Sequence, residues 1–518
     1  MSDLILHNAH VITMDTRRPF GELVAIRDGK ITAVTGNYSL NSLATPKTQV
    51  IDCGGRTLLP GFIDAHCHLR AFAESLLTLD LHPAAGIGSI SDIRSRIDSQ
   101  AKALPMGTWI RGHGYHEFDL IEKRHPTRLD LDAVSPHHPV KLSHRTGHAH
   151  VLNSLALQVV GLSRYSDEPD GGIMDRDSNT GEPTGLLYEM GNLLAERIPR
   201  IAENEMEQGI GRASHLLLSH GITSLYDASE KNDRRQWERF VHWKNQGHLA
   251  QKIGMFFNPA AMEWISDGPL CYRTDPRHLH PLGIKIILDE TTGKLHPETK
   301  ELYRLVTRAH TLGLQVSIHA VEENAIEAGC ATIEKVLLDH PRSDHRHRLE
   351  HVFICPPHLI ARLSAIGIHV VTQPGFLRNN GDRYLKTVPE EKQGYLYPIG
   401  SLMKGGITVA AGSDCPVGPP NPFAGLQAAV SRTTITGKSI GARECISLLD
   451  AIALYTSNAA RTAFEETIKG SIALGKTADL ILLGADLLRS EIERVQVDLT
   501  ILDGKIAWAR KSFDIKNQ

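Results

Sequence analysis

The chain has 518 residues, 41% of them hydrophobic, so it is long enough for a large barrel with additions rather than one simple domain. Its 56 Lys and Arg residues nearly balance its 59 Asp and Glu residues, which argues against a nucleic-acid-binding surface. The first residues do not show the pattern of a signal peptide, no apolar run reaches about 18 residues, and no Cys-x-x-Cys pair occurs. We therefore expect no membrane contact and a reduced, cytoplasmic protein.

Short β-type runs fill the first 58 residues, and Asp28-Gly29 between two of them is a hairpin signal. A similar pattern returns over residues 465–518, with β-type runs at 478–483 and 497–502. We therefore predict one small β-sandwich domain formed from both ends of the chain, with its N-terminal segment at residues 1–58 and its C-terminal segment at residues 465–518.

The middle of the chain alternates short apolar runs with helical patterns. Eight strands are predicted, at 58–64, 223–227, 252–257, 283–289, 315–319, 348–352, 369–372 and 408–411. Eight strands that alternate with helices predict an α/β fold, a parallel (β/α)8 TIM barrel over residues 59–464. A doubly wound open sheet is the alternative, but no Gly-rich phosphate-binding turn follows the first strand. Residues 79–200 interrupt the pattern, and we interpret them as an insert over the barrel mouth after the first strand.

The strongest local signal is Pro-Gly-Phe-Ile-Asp-Ala-His-Cys-His at residues 60–68. Alternate residues of a strand point to the same side, so His66 and His68 are both predicted to face inward. Two imidazoles placed in this way can chelate one metal ion. A lone His-x-His pair is common, so a metal site at this motif needs support from residues that follow in the chain.

Further polar residues stand at or near the C-terminal ends of later strands, where barrel enzymes carry their catalytic groups. Lys285 lies within the fourth strand, His319 ends the fifth, His351 ends the sixth and Asp414 ends the eighth. Each residue alone fits an ordinary core or surface side chain. Their joint placement on one rim indicates a metal centre.

The order and spacing of these motifs resemble the amidohydrolase superfamily, in particular its amidohydrolase-3, YtcJ-like branch, which includes N-substituted formamide deformylases. Besides residues 60–68, the matching segments are 147–157, 283–285, 318–320, 350–351, 373–374, 412–417 and 475–480. The resemblance covers the whole chain. It implies a metal-dependent hydrolase that acts on carbon–nitrogen bonds other than peptide bonds in a small molecule.

The resemblance also implies a role for each candidate residue. His66 and His68 would bind the more buried ion with Asp414 near it, while His319 and His351 would bind a second ion if one is present. A carboxylated Lys285 would bridge the two ions. The alternative for Lys285 is an ordinary lysine paired with Asp289 or Glu290, which stand where the family tends to have Asp-Gly.

Imidazole and carboxylate ligands suit zinc best, but also iron, manganese or cobalt. A metal lowers the pKa of its water from about 15.7 toward 7. Asp414 would accept the proton and pass it to the leaving nitrogen. His319 or His351 would help to polarise the substrate carbonyl.

One departure from the branch pattern leaves the metal count open at one or two. After His319 the branch usually has Ala-x-Gly-Asp, but this chain has Ala-Val-Glu-Glu, which also fits the His-x-x-Glu of the deaminase branch. There one metal suffices and Glu322 would be the catalytic proton shuttle. Alternatively, Glu322 and Glu323 begin a helix, where carboxylates favour the helix dipole.

Substrate contacts are predicted for Arg145, His150, Asn153 and Gln373, and an arginine would suit a carboxylate on the substrate. The loops 291–294, 373–378 and 382–384 are further candidates.

Hydrolysis of an amide, N-acyl or formamide-type bond is the first hypothesis, and an aminohydrolase (deaminase) that uses Glu322 is the second. A binding module without activity is the third, although it would be expected to lack at least one ligand type. The partners that we expect are a small-molecule substrate and, by analogy with other barrels, a second copy of the chain in a homodimer.

Overall fold

The computed structural model describes residues 2–169, 171–267, 278–289 and 295–513. Contacts between Cα atoms divide the chain into two compact units. The first unit contains residues 1–68 and 214–518, and the second, called here the inserted unit, contains residues 69–213. The loop candidates at 291–294 and the proposed Lys285 partner Glu290 lie outside the described residues.

Eight parallel strands follow one another around a barrel in sequence order. They are Phe62–Cys67, Ile222–Asp227, Lys252–Phe257, Leu279–Ile287, Gln315–Ala320, Arg348–His351, His369–Thr372 and Val409–Ala411. Beyond the last strand, the Asp414 amide donates to the His66 carbonyl at 2.8 Å, and the His68 amide donates to the Cys415 carbonyl at 3.0 Å. These bonds link the eighth strand to the first and confirm the predicted TIM barrel.

Helices follow the barrel strands because apolar residues recur at helical spacing along them. Thr299–Thr311, for example, buries Leu302, Val306 and Ala309 on one face. Other helices of this unit include Leu40–Leu43, Arg234–Asn245, Met262–Asp267, Glu323–Asp339, Pro357–Ile366, Gly375–Thr387, Glu390–Gln393, Ile399–Lys404, Pro422–Ser431, Leu448–Leu454 and Ser457–Thr462. Within the described ranges, no helix combines the length and the apolar character needed to cross a membrane.

The predicted strand 58–64 is wrong as one element, because the chain changes sheets at Gly61. Thr57–Pro60 pairs antiparallel with Leu480–Leu483, whereas Phe62–Cys67 pairs parallel with Ile222–Asp227. A Cβ atom at Gly61 would lie 2.3 Å from the side chain of Thr223. Only glycine therefore fits at this crossing, and the continuous apolar run in the sequence conceals the break.

The N-terminal segment forms one further sheet, and both ends of the chain contribute to another. One sheet contains Lys30–Thr35, Leu23–Arg27, Leu4–His7 and Gln49–Asp52 in that order. The other contains Lys505–Ala509, Val497–Leu502, Leu480–Leu483, Thr57–Pro60, His10–Ile12 and Phe20–Gly21. Leu6, Val24, Leu58, Leu480 and Leu499 belong to one buried cluster that joins residues of both sheets.

The inserted unit has a six-stranded sheet of its own. Its strands, in sheet order, are Ile173–Arg176, Pro183–Tyr188, Ala149–Leu152, Val140–His144, Ile110–Tyr115 and Leu79–Asp80. Its helices include Leu69–Ser75, Ile90–Ala103, Arg128–Asp132, Ser154–Val159 and Gly191–Arg197. Two apolar clusters stabilise it, one around Ile93, Ile110 and Leu142 and the other around Leu157 and Leu187.

Candidate metal centre

The predicted histidines come together at the C-terminal ends of the barrel strands. The ring centroids of His66 and His68 are 5.3 Å apart, those of His66 and His351 are 4.9 Å apart, and those of His319 and His351 are 4.4 Å apart. His66 and His351 are buried, whereas His68 and His319 are partly exposed. Four imidazoles from three different strands therefore share one rim of the barrel.

Asp414 completes a group with the first two histidines. Its Oδ1 atom lies 3.0 Å from Nε2 of His68 and 3.5 Å from Nε2 of His66. One donor atom from each residue lies within 4.8 Å of the others. Imidazole nitrogens and a carboxylate oxygen at this spacing are a donor set that fits a divalent metal ion.

Glu350 orients His66 from behind. Its carboxylate accepts a hydrogen bond from Nδ1 of His66 and another from the Ser317 hydroxyl at 2.7 Å. Burial opposes ionisation of Glu350, but the charge of Arg348, whose Nε lies 2.5 Å from Oε1, and the contact with His66 hold its pKa well below the usual range. An ionised Glu350 keeps the proton on Nδ1 and leaves the Nε2 lone pair for a metal.

Two other ligand candidates are held in the same way. Nδ1 of His68 lies 3.1 Å from the Ser229 hydroxyl, and Nδ1 of His351 lies 2.8 Å from Oε1 of Gln373. Gln373 was predicted to contact a substrate. In the structure its amide oxygen contacts Nδ1 of His351 and so orients that ring. Its Nε2 has no hydrogen-bond partner within the described ranges.

Lys285 is buried in the fourth strand, and its Nζ atom has no hydrogen-bond partner among the described residues. Burial lowers its pKa to about 8, although the nearby Glu350 charge opposes the shift. The predicted alternative of a lysine paired with Asp289 is therefore not supported by a hydrogen bond. The Lys285 amine is buried near the histidines and has no hydrogen-bond partner among the described residues. These properties fit a residue that becomes a metal ligand.

Asp64 ties the first strand to the loop after the eighth. It accepts hydrogen bonds from the Ser413 amide at 2.9 Å and the Ser413 hydroxyl at 2.6 Å. The His66 amide also donates to it, at 3.3 Å. Burial outweighs these bonds and raises the pKa of Asp64 to about 6. Because Ser413 directly precedes Asp414, Asp64 fixes the loop that carries that ligand candidate.

Backbone strain is concentrated at the same strand ends. His351, Val352 and Asp414 have φ angles of 74°, 50° and 56°. Residues with a Cβ atom rarely adopt this left-handed region, and such strain is typical of functional sites. It turns the backbone sharply where His351 and Asp414 present their side chains.

Glu322 is not part of this group. Its side chain is exposed, and it stands at the N-cap position of helix Glu323–Asp339, where it makes no capping hydrogen bond. This position agrees with the alternative in which Glu322 and Glu323 begin a helix.

The remaining predicted contacts lie in the inserted unit. Asn153 is buried and caps helix Ser154–Val159. Its Oδ1 accepts from the Val140 and Ala156 amides, both at 2.9 Å, and its Nδ2 donates to two backbone carbonyls. These four bonds use both polar atoms of the side chain and support a structural role, while the substrate contact of Asn153 stays a prediction. Nδ1 of His150 lies 3.1 Å from the Ser143 hydroxyl on the neighbouring strand, and Arg145 lies 3.6 Å from Asp119.

Sequence reasoning missed Asp64, Ser317, Arg348 and Glu350. Asp64 lies inside the 60–68 motif and Glu350 inside the matching pair 350–351, so both were within view. Nothing in the sequence pairs Glu350 with His66, because 284 residues separate them.

A parallel barrel with imidazoles and a carboxylate at the C-terminal ends of its strands is the architecture of a metal-dependent hydrolase. The sequence profile of the amidohydrolase family matches residues 49–507. The chain therefore belongs to the amidohydrolase family, whose members are hydrolases of carbon–nitrogen bonds. The enzyme class predicted from the motifs is confirmed.

Individual proteins agree with this assignment. The putative amidohydrolase YtcJ of Bacillus subtilis (strain 168) is 29% identical over 98% of this chain and 99% of its own length. The N-substituted formamide deformylase of Arthrobacter pascens is also 29% identical, over 98% of this chain and 99% of its own length. The crystal structure of an uncharacterized metal-dependent hydrolase from Pyrococcus horikoshii OT3 has the same fold, with a TM-score of 0.76 and 22% identity over 95% of this chain and 99% of that one.

Proposed function

We propose that this enzyme hydrolyses an amide, N-acyl or formamide-type bond of a small molecule with a divalent metal ion held by His66, His68 and Asp414. The observation that carries the proposal is the approach of Asp414 Oδ1 to both Nε2 atoms, at 3.5 and 3.0 Å. The similarity to an N-substituted formamide deformylase over almost the full length supports this bond type.

Asp414 has the properties of the proton carrier. Burial opposes its ionisation, but the hydrogen bond from His68 and the neighbouring imidazoles hold its pKa below the usual range. It is therefore a carboxylate at neutral pH. When held by His66, His68 and Asp414, a divalent ion would supply Lewis-acid chemistry and lower the pKa of a water molecule, so that hydroxide would be available near neutral pH. Asp414 accepts the proton of the attacking water and delivers it to the leaving nitrogen, which departs as a neutral amine.

His319, His351 and Lys285 are proposed to hold a second ion. With a pKa of about 8, roughly a tenth of the Lys285 amine is neutral at pH 7, far more than for a free lysine. A neutral amine attacks carbon dioxide, so that an N–C bond forms and one proton is released. The product is a carbamate, whose oxygens are ligands where the ammonium was not.

An aminohydrolase that uses Glu322 remains the second candidate, and it rests on the His-x-x-Glu spacing from His319. The exposed position of Glu322 at a helix N-cap argues against it. A proton shuttle has to come within hydrogen-bond distance of the reacting group.

Three finer points belong to the proposal. Zinc is the metal favoured by the donor set. Arg145 and His150 of the inserted unit are proposed to help select the substrate. A homodimer and a reducing cytoplasm are also proposed, and the free state of the six described cysteines fits the reducing setting.

Metal analysis combined with an activity screen tests the proposal. Wild type, His66→Ala and Asp414→Asn are purified without added metal, analysed for metal per chain, and assayed for amine release from N-substituted formamides and N-acyl amines. We expect amine release by wild type and its loss in both variants, with metal also lost in His66→Ala. Wild type that binds no zinc, manganese, iron or cobalt would refute the metal mechanism. Metal binding without amine release from either class would refute the bond type.

A further inference from the structure

The inserted unit contains a cavity of about 230 Å³, called here the arginine cavity, whose lining residues all belong to this unit. Its apolar wall is formed by Leu76, Leu77, Leu79 and Ile110. Its polar lining comes from Thr78, Gln100, Arg111 and Arg212. Sites for drug-sized ligands have volumes of roughly 300–1,000 Å³. The arginine cavity therefore suits a smaller molecule.

Gln100 reaches the cavity from the inner face of a helix. Helix Ile90–Ala103 buries Ile90, Ile93 and Ile97. Gln100 follows Ile97 by three residues and so continues the same face, where an apolar side chain would be expected. The sequence thus places an amide on the inner face of this helix, where the helix borders the cavity.

Arg212 is brought to the cavity by a close approach of helix Glu203–Ser219. A Cβ atom at Gly209 would lie 2.9 Å from the Ala73 carbonyl oxygen and 2.9 Å from Cδ1 of Leu77. Only glycine lets the helix backbone pack this tightly. Arg212 stands three residues beyond Gly209 on the same face of the helix. Its side chain therefore lies at the cavity that Leu77 also lines.

Arg111 is the second residue of strand Ile110–Tyr115 and is partly buried. Its Nη2 atom donates to the Pro199 carbonyl at 2.6 Å. Burial lowers the pKa of the guanidinium group, and the charges of Glu205 and Glu74 oppose the shift without cancelling it. Across the described ranges, neither carboxylate forms an ion pair with Arg111. The guanidinium is therefore a partly desolvated cation that keeps N–H donors for a ligand.

Arg212 and Gln100 also keep free donors. Arg212 is exposed and Gln100 is partly buried, and neither side chain has a hydrogen bond or an ion pair with another residue that the structure describes. Glu74 is paired elsewhere, because its Oε1 lies 2.5 Å from Nη2 of Arg70. Two guanidinium groups and an amide thus present donors to one cavity. Carboxylate oxygens are acceptors that match the planar guanidinium fork.

We propose that the arginine cavity binds a small aliphatic carboxylate, which Arg111 and Arg212 hold at its charged end. Gln100 supplies a further donor, and the chain of the ligand lies against the apolar wall. An inorganic anion would leave that wall uncovered, whereas an alcohol would leave the guanidinium groups without a counter-charge. The Thr78 hydroxyl takes no part, since it donates to the Ser75 carbonyl at 3.0 Å. Binding at this site does not depend on the proposed hydrolysis.

Isothermal titration calorimetry of the full-length protein with hexanoate tests this site. The comparison ligands are 1-hexanol, which lacks the charge, and inorganic phosphate, which lacks the chain. We expect hexanoate to bind at least about tenfold more tightly than either, and about tenfold more weakly to Arg111→Gln and Arg212→Gln than to wild type. Arg164→Gln is the matched control and should equal wild type, because Arg164 is an exposed arginine of the same unit outside the lining of the cavity.

Carboxylates also bind metal ions, so His66→Ala separates the cavity from the candidate metal centre. This variant should bind hexanoate as wild type does. Loss of hexanoate binding in His66→Ala, with unchanged binding in Arg111→Gln, would assign the ligand to the metal centre and overturn the proposal. Absence of hexanoate binding, or phosphate binding of equal strength, would also overturn it. Circular dichroism checks folding, and the exposed Arg212 decides the test if Arg111→Gln does not fold, since equal affinity in folded Arg212→Gln and wild type would refute the site.

Discussion

Glu350 holds the Nδ1 side of His66, while the Nε2 side of the same ring lies 3.5 Å from Asp414. Glu350 comes from the sixth barrel strand and His66 from the first, so the contact spans the interior of the barrel. Arg348 and Ser317 in turn hold the carboxylate. The orientation of a candidate metal ligand is therefore set by a buried chain of polar contacts.

The variant Glu350→Gln should weaken metal binding by roughly 10- to 100-fold, because the proton on Nδ1 of His66 loses its anionic partner. It should also lower the free energy of unfolding by roughly 3 kcal/mol, since the buried Arg348 loses its counter-ion. Metal competition assays and urea unfolding measure the two effects. Glu444→Gln is the control, as Glu444 is a buried carboxylate that accepts from Ser401. Unchanged metal affinity in Glu350→Gln would contradict the positioning role.

The variant Lys285→Met should bind one metal ion fewer than wild type and give no carbamate signal by 13C NMR after exposure to labelled bicarbonate. Because burial lowers the pKa of Lys285 to about 8, the neutral amine becomes scarcer as the pH falls below that value. Wild type should therefore show less carbamate, and less of its second ion, in acidified buffer without bicarbonate. Equal metal content in wild type and Lys285→Met, with no carbamate in either protein, would exclude the bridging role.

The variant Glu322→Gln should keep the rate of carbon–nitrogen hydrolysis, since its exposed side chain is at a helix N-cap. A proton shuttle contributes about 100-fold or more to the rate, so its loss would be obvious. The measurement is kcat with the best formamide or N-acyl substrate, with Glu323→Gln as the neighbouring control. A fall of about 100-fold in Glu322→Gln alone would favour the aminohydrolase mechanism.

Stability of the metal-free protein should depend on Asp64 in the acid range. Its pKa in the folded protein is about 6, above the 3.8 of the free group, so the folded state binds the proton more tightly. Stability relative to Asp64→Asn should therefore decrease as the pH rises from about 4 to 6, by up to roughly 3 kcal/mol, and stay constant above. Urea midpoints of both proteins between pH 4 and pH 7 check the sign. A difference that does not vary with pH would mean that Asp64 titrates normally.

The variant Asn153→Ala should destabilise the protein without changing KM. It removes a helix cap and leaves buried backbone groups without partners, which costs roughly 2–4 kcal/mol. Thermal unfolding and steady-state kinetics are measured beside Asn192→Ala, whose side chain is exposed in the same unit. An increase in KM with unchanged stability would restore the predicted substrate contact.

The barrel and the ligand candidates could be predicted because both depend on local sequence. Apolar runs define the strands, and a polar residue at the end of such a run is easily seen, as with His351 and Asp414. The contact between Glu350 and His66 could not be predicted, since it depends on which strands lie opposite each other in the closed barrel. The break at Gly61 was also hidden, because Thr57–Pro60 and Phe62–Cys67 are both buried.

Asn153 shows that one sequence signal can support two interpretations. It lies in the family-like segment 147–157, which suggested a functional contact. An asparagine directly before a helical run is equally a typical N-cap. The hydrogen bonds of the Asn153 side chain favour the N-cap. One of them comes from Val140 on the neighbouring strand, and that contact could not be read from the sequence.

The pairing of Thr57–Pro60 with Leu480–Leu483 has a consequence for synthesis. A ribosome adds about 5–20 residues per second, so the second strand leaves it roughly 20–80 s after the first. During this time the nascent chain carries an apolar strand with an open edge, where foreign strands can add. The edge of Thr57–Pro60 is therefore covered only after all eight strands of the barrel have been made.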